Sequence, residues 1–272
     1  TVSKAWIEML HRYFAMGVGF LLIILTVTAW VKRAKLGNKI AWASLGLLIL
    51  VMIQGAFGAW TVTLKLQPII VTIHLMLGLL LLSGLTLLSE ISTPNVINNQ
   101  STIRFPIWIP MIGIIVLLVQ IFLGGWVSTN YAVLACTDFP LCQGQVVPDM
   151  DFHHGFTWWR ELGKTATGEF IDIKALVAIH WMHRVGAFVT LFAIASIWRR
   201  ASKAVQGKTD ALSQRIAFWA KMLGWLGVLQ LLTGLSNVVL EWPLVAALAH
   251  TAGAAALLVS MTKLTCLANK TS

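Results

Sequence analysis

Charge is what this sequence has least of. Only 11% of its 272 residues are Asp, Glu, Lys or Arg, against 58% that are hydrophobic. With a mean hydropathy of +0.81, that composition excludes an ordinary water-soluble domain and places the chain in a membrane. Acidic residues are the scarcer of the charged types, 10 against 20 basic ones, which leaves a net charge of +10. Such a surplus would suggest nucleic acid on a soluble protein. Here the basic residues fall mostly in short connections between apolar runs, where membrane orientation explains them and no nucleic-acid partner is implied. Cysteine is also scarce. Cys136, Cys142 and Cys266 are too few for a disulfide scaffold. Extended polar sequence is confined to one segment, 129–172.

What is present is a series of long apolar runs. Seven are expected to span the membrane as helices, at 7–31, 40–64, 68–90, 106–128, 173–198, 216–240 and 243–265. Each is close to the length a helix needs to cross the hydrocarbon, and helices satisfy their own backbone polar groups there. The fold class expected is therefore all-α integral membrane. Lys32, Arg33, Lys35 and Lys39 crowd the first connection, and Arg199, Arg200, Lys203, Lys208, Arg215 and Lys221 the fifth. Those two should face the cytoplasm, with residues near Lys65, the segment 129–172 and the turn at Glu241-Trp242-Pro243 outside.

The runs repeat. Ile179-His180-Trp181-Met182-His183-Arg184 echoes Ile7-Glu8-Met9-Leu10-His11-Arg12, with His180 where the earlier copy has Glu8. Two segments later each copy has another histidine, His74 and His250, and in both cases a glutamine (Gln54, Gln230) stands 20 residues before it. A duplicated unit with one histidine at each matching position predicts two sites of two imidazoles each, at similar depth near the outer side. The first copy is short of a leading helix, and the chain opens on Thr1. The expectation is a parentage of eight spans, two pseudo-symmetric four-helix bundles related as a parallel repeat, with seven spans present here and the first helix and its outer loop missing upstream. The halves divide at 1–100 and 101–272.

Facing imidazoles in a helical bundle suit the two axial positions of haem iron. Zinc would call for three or four ligands, and these helices lack thiolates. A membrane histidine that only hydrogen-bonds a neighbouring helix is the plainer alternative. Arg12 and Arg184 either snorkel to the boundary or pair with haem propionates. Glu8, three residues before His11, shares its helix face. Its replacement by His180 suggests that the first half does chemistry and the second holds a resident cofactor. Gln-x-x-x-Gly recurs at Gln54/Gly58, Gln120/Gly124 and Gln230/Gly234, as close helix packing or as the lining of the haem pockets. In the outer loop, Cys136 and Cys142 should form a disulfide, either a staple or a thiol-exchange site. Trp158-Trp159-Arg160 should anchor at the interface. His153 and His154 are expected to be solvated, and Cys266 a reduced packing residue.

Together the repeated Glu-x-x-His-Arg and His-x-x-His-Arg elements, His74, His250 and Cys136-Thr-Asp-Phe-Pro-Leu-Cys142 resemble the heme A synthase family over essentially the whole chain. The resemblance implies eight helices, a catalytic half carrying Glu8, His11 and His74, and a resident haem b on His183 and His250. It implies oxidation of the C8 methyl of heme O to the formyl of heme A, by successive hydroxylations and loss of water. It also implies a bacterial inner membrane with the haem sites toward the periplasm, heme O synthase and terminal oxidase assembly factors as partners, and an electron acceptor that the residues do not identify. A diheme b-type electron-transfer cytochrome and a parallel-repeat transporter with histidine proton relays are the competing readings.

Overall fold

The computed structural model describes residues 2–93 and 103–271. The division expected at residue 100 falls outside the described residues. Seven long helices carry the fold: α1 (Val2–Val31), α2 (Asn38–Thr63), α3 (Pro68–Ser92), α4 (Trp108–Thr129), α5 (Ile173–Ala204), α6 (Ala211–Val239) and α7 (Leu244–Ala268). All seven are long and apolar enough to span a bilayer. The chain is an all-α integral membrane protein.

Their ends have local causes. Pro68 begins α3, where its missing N–H costs nothing. Asp172 caps α5 by accepting from the Lys174 amide, and Asp210 caps α6 by accepting from the Ser213 amide. Helix α5 runs to residue 204 and α6 starts at 211, against expected ends at 198 and 216. Hydropathy falls where Arg199 and Arg200 begin, but nothing there breaks a helix. The winding persists until the chain reaches Gly207, whose φ is +75°.

The duplication is also written in the backbone. Between α2 and α3, Lys65 and Leu66 both take left-handed conformations, and between α6 and α7 Glu241 and Trp242 do the same. In each turn the second residue donates back to the carbonyl five residues earlier, Leu66 to Thr61 and Trp242 to Asn237, both at 2.8 Å. Four non-glycine residues in a region disfavoured for side chains mark one turn used twice.

Helix contacts form two connected groups. Helix α4 packs on α5, α5 on α6, α6 on α7, and α7 back on α4. Helices α1, α2 and α3 pack in sequence, and α3 lies against both α4 and α7. The largest core fills the space among α3 to α7 and includes Leu117, Ile197, Leu223, Leu257 and Met261. On α1 the large side chains Phe14, Phe20 and Leu21 are exposed while Leu22 and Ala29 are buried. In hydrocarbon such exposure is compatible with stability, because lipid is as apolar as the side chains.

A polar tie lies at the end of α3 remote from His74. Glu90, 5% exposed, accepts from Arg215 at 2.8 and 2.9 Å and from Lys263 at 2.7 Å. A buried carboxylate needs such partners. Arg215, counted from sequence among the loop charges, is thus committed to a tie between α3 and α6.

Candidate functional site

The structure brings His11 and His74 together, with ring centres 6.4 Å apart and planes at 80°. Two imidazoles trans on one metal, with nitrogen–metal bonds of about 2.0–2.1 Å and ring centres about an ångström beyond, would stand about 6–6.5 Å apart. The spacing fits one shared metal atom. His74 is oriented by its Nδ1, 3.1 Å from the Gln54 main-chain oxygen. A carbonyl only accepts, so Nδ1 carries the proton and Nε2 is left as a ligand atom.

His183 on α5 and His250 on α7 are the other two candidate ligands. His183 Nδ1 lies 3.0 Å from Gln120 Nε2, and His250 Nδ1 2.9 Å from the Thr233 hydroxyl. The residues that hold the rings are thus a main-chain carbonyl, an amide and a hydroxyl. Of these, Thr233 had no signal in the sequence beyond its place beside Gly234.

The recurring Gln-x-x-x-Gly proves to be the seat of the rings. A Cβ added at Gly58 would lie 3.1 Å from His74 Cε1, one at Gly124 2.9 Å from His183 Cε1, and one at Gly234 3.2 Å from His250 Cε1. The glutamines fill the reciprocal notch. Gln54 lies over Gly78, Gln120 over Gly186 and Gln230 over Gly253, each a glycine one turn beyond the histidine. Each pair of helices therefore interlocks twice, ring over glycine and amide over glycine. Of the two readings of this pattern, close helix packing is what these contacts show.

Glu8 and Arg12 form an ion pair at 2.6 Å with both side chains more than half exposed. Their counterparts are enclosed. His180 is 4% exposed and accepts at Nε2 from Arg184 Nε at 3.2 Å. Arg184 also donates from Nη1 to the carbonyls of Asp138 and Leu141, at 2.8 and 2.7 Å, and from Nη2 to that of Cys136 at 2.7 Å. These bonds use four of the five guanidinium N–H groups.

Arg184 therefore grips a turn. Cys136 and Cys142 are joined by a disulfide, and the Asp138 carboxylate accepts from the Gly144 and Gln143 amides at 2.8 Å each. Those amide bonds, Gly144 first, hold the Asp138 carboxyl below its ordinary range. Trp181 on α5 adds a bond to the Val146 carbonyl at 2.9 Å.

Elsewhere in the loop, Trp158 and Trp159 are exposed, as an interfacial anchor requires, but Arg160 is only 3% exposed. It donates to the Lys164 carbonyl at 3.2 Å and to the Asn130 side chain, and burial pulls its pKa down. Its anchoring role is corrected accordingly: Arg160 braces the loop from within, because its donors are taken up by Lys164 and Asn130. His153 is exposed, while His154 is half-buried and bonded to Asp151 at 2.5 Å. That partner amide and ring hold the Asp151 carboxyl low. Cys266 is a free, partly buried thiol. Among the described residues no group of three or more His, Cys, Asp or Glu side chains could hold a metal, so the imidazole couples stand alone.

Comparison with known proteins identifies the family. Residues 1–262 match the family model COX15-CtaA, described as cytochrome oxidase assembly protein. The heme A synthase of Shewanella oneidensis is 35% identical over 262 residues, which cover 95% of this chain and 75% of that protein. Heme A synthases of a Chelativorans species and of Brucella anthropi are each 29% identical, and the match covers 64% and 66% of their lengths. The chain thus spans about two thirds to three quarters of these relatives. With the family model matched along nearly its whole length, the chain belongs to the heme A synthase (COX15-CtaA) family, a family of oxidoreductases.

Proposed function

We propose that this protein oxidises the C8 methyl of heme O to a formyl group, forming heme A for terminal oxidases. The observation that carries the reading is the His11–His74 couple, 6.4 Å between ring centres, with Glu8 one helical turn from His11. His11 and His74 fix the substrate macrocycle from its two faces. Reaction at one methyl among several demands such orientation. Glu8 takes a proton released at that carbon, or stabilises positive charge developing there. Arg12, paired to Glu8, aims the carboxylate and offers its remaining donors to a propionate.

The second couple, His183 and His250, suits a resident haem b. Such a group supplies one-electron transfer when bound. The chain's own part there is to hold both rings against Gly124 and Gly234 and to exclude water with α4 to α7. On this reading residues 1–100 form the substrate half and 101–272 the cofactor half, two related bundles of which three and four spans are present. The halves sit with all four histidines toward the periplasmic side of a bacterial inner membrane, and Arg184 contributes to the cofactor site through the turn it holds. The partners are those of cytochrome oxidase assembly, including the enzyme that supplies heme O.

Pigment extraction from the purified full-length protein tests the reading. Heme O or heme A beside haem b supports it. Haem b alone would make the protein an electron-transfer cytochrome, and no haem at all would favour a transporter. A Glu8→Gln protein that converts heme O at the normal rate refutes the role given to Glu8.

A further inference from the structure

The tie among Glu90, Arg215 and Lys263 borders an open cavity of about 510 Å³, whose walls also include Gln214, Phe218 and Trp219. Of the three charged side chains the carboxylate is the hidden one: Glu90 is 4% exposed, against 18% for Lys263 and 36% for Arg215. A molecule entering the cavity therefore meets the two cations first. Arg215 spends only Nη2 on Glu90, and among the described residues its Nε and Nη1 have no partner. Lys263 gives one N–H to Glu90 and stands 5.9 Å from the centre of the Trp219 ring. Among the described residues no second carboxylate lines the cavity, so two positive charges face one negative charge there. The cavity has donors to spare and a surplus of positive charge, which suits an anion.

Its position in the fold narrows the choice of anion. Glu90 lies near the end of α3 at Ser92, Arg215 near the start of α6 at Ala211, and Lys263 near the end of α7 at Ala268. Each is within about a turn and a half of a helix end. In helices that span a bilayer, that is the level where hydrocarbon gives way to headgroups. Phe218 lines the cavity and is also exposed. Trp225 and Leu232, both exposed, follow it at seven-residue intervals along one face of α6. The cavity thus opens onto the apolar flank of a spanning helix, beside the space that acyl chains fill.

We propose that this cavity binds the headgroup of an anionic phospholipid. The phosphate oxygens accept from Arg215 and Lys263, and an acyl chain runs along Phe218, Trp225 and Leu232. Basic pockets between helices on the cytoplasmic side suit such headgroups, and this is the end of the bundle proposed to face the cytoplasm. A lipid held there touches α6, α7 and the carboxylate that ties them to α3, so it reinforces that tie. The proposal goes beyond the haem chemistry and does not depend on it.

The test varies the charge at the mouth of the cavity and leaves the tie intact. Gln214 and Lys35 are both exposed, so neither site threatens the fold. Full-length wild type, Gln214→Glu, Gln214→Lys and, as a control on the connection between α1 and α2, Lys35→Gln are reconstituted in nanodiscs of equal parts phosphatidylglycerol and phosphatidylcholine. Lipid retained on extraction is counted by native mass spectrometry, and thermal unfolding is followed with each lipid alone. The expected result is preferential retention of phosphatidylglycerol by wild type, with a higher unfolding temperature in that lipid. Retention should fall about fivefold in Gln214→Glu and rise about fivefold in Gln214→Lys, the worth of one charge near a membrane surface, and stay unchanged in Lys35→Gln. Equal retention of the two lipids by wild type, or equal retention of phosphatidylglycerol by the two Gln214 variants, would overturn the proposal. So would a loss in Lys35→Gln as large as that in Gln214→Glu, which would mean attraction to the surface as a whole. Stabilisation by inorganic phosphate in phosphatidylcholine equal to that by phosphatidylglycerol would overturn it as well, by making the ligand a free anion.

Discussion

The elements Glu8–Arg12 and His180–Arg184 share a spacing, and their surroundings differ throughout. In the first, a carboxylate and a guanidinium pair with each other in the open, 57% and 53% exposed. In the second, a buried imidazole accepts from an arginine whose other donors are spent on Asp138, Leu141 and Cys136 carbonyls. One helical frame thus yields an exposed ion pair with room to act and a sealed brace. The difference teaches that the repeat kept its histidine while the residue three positions earlier diverged. On the proposed function, chemistry follows from that residue and its exposure, and not from the histidines, which both copies carry.

The comparison breaks most visibly at its first residue. Glu8→Gln should lower heme A formation by about 100-fold or more, the usual worth of a positioned acid or base, with heme O still bound. His180→Gln should leave turnover within a few-fold of wild type. Steady-state kinetics of both, with pigment analysis, decides whether the asymmetry is functional.

Next come the ring seats. Gly124→Ala would put a methyl 2.9 Å from His183 Cε1, whereas Gly234→Ala would put one 3.2 Å from His250 Cε1. Overpacking of this kind costs about 1–3 kcal/mol. Gly124→Ala should therefore lose haem b more completely than Gly234→Ala. Equal retention, measured by haem b absorbance per protein, would show that the seats are not tight.

The arginines should part more modestly. Arg184→Lys leaves carbonyls of the disulfide turn without donors, and should destabilise by about 1–3 kcal/mol. Arg12→Lys, an exposed pair, should cost at most about 1 kcal/mol. Thermal unfolding in detergent, with hydrogen exchange over residues 136–146, would separate them.

The smallest effect is one of pH. The Asp138 carboxyl is held below its unfolded value of 3.8, so its contribution is fully present above that value and is lost as pH falls through the lower folded value. Exchange protection of the Gln143 and Gly144 amides should thus be constant from neutrality to about pH 4 and decline only below it. Asp138→Asn should abolish that acid dependence. The first half has no described counterpart to this turn, and α1 should show no comparable change.

Much of this was legible in the sequence. The seven helices were, because each is an apolar run of membrane-spanning length. Their ends were less so, since basic residues after Trp198 reduce hydropathy without ending a helix. The histidine couples were legible because duplication marked them, and the glycines because they recur with the glutamines. Their meaning as ring seats was not, because spacing does not say which face of which helix they meet. The work of Arg184 was hidden for another reason: its acceptors are main-chain carbonyls, brought together by the conformation of a loop. The tie among Glu90, Arg215 and Lys263 joins residues 125 and 173 positions apart, and no local pattern announces it.

Helices α3 and α7 lie against each other and are bonded across the seam by Ser83 and Thr262 at 2.7 Å. One carries His74 and the other His250, so the two chambers of the proposed enzyme share a party wall. An electron leaving one chamber for the other would meet the packed side chains of α3 and α7 between them. Any substitution that shifts that wall would be felt on both sides at once.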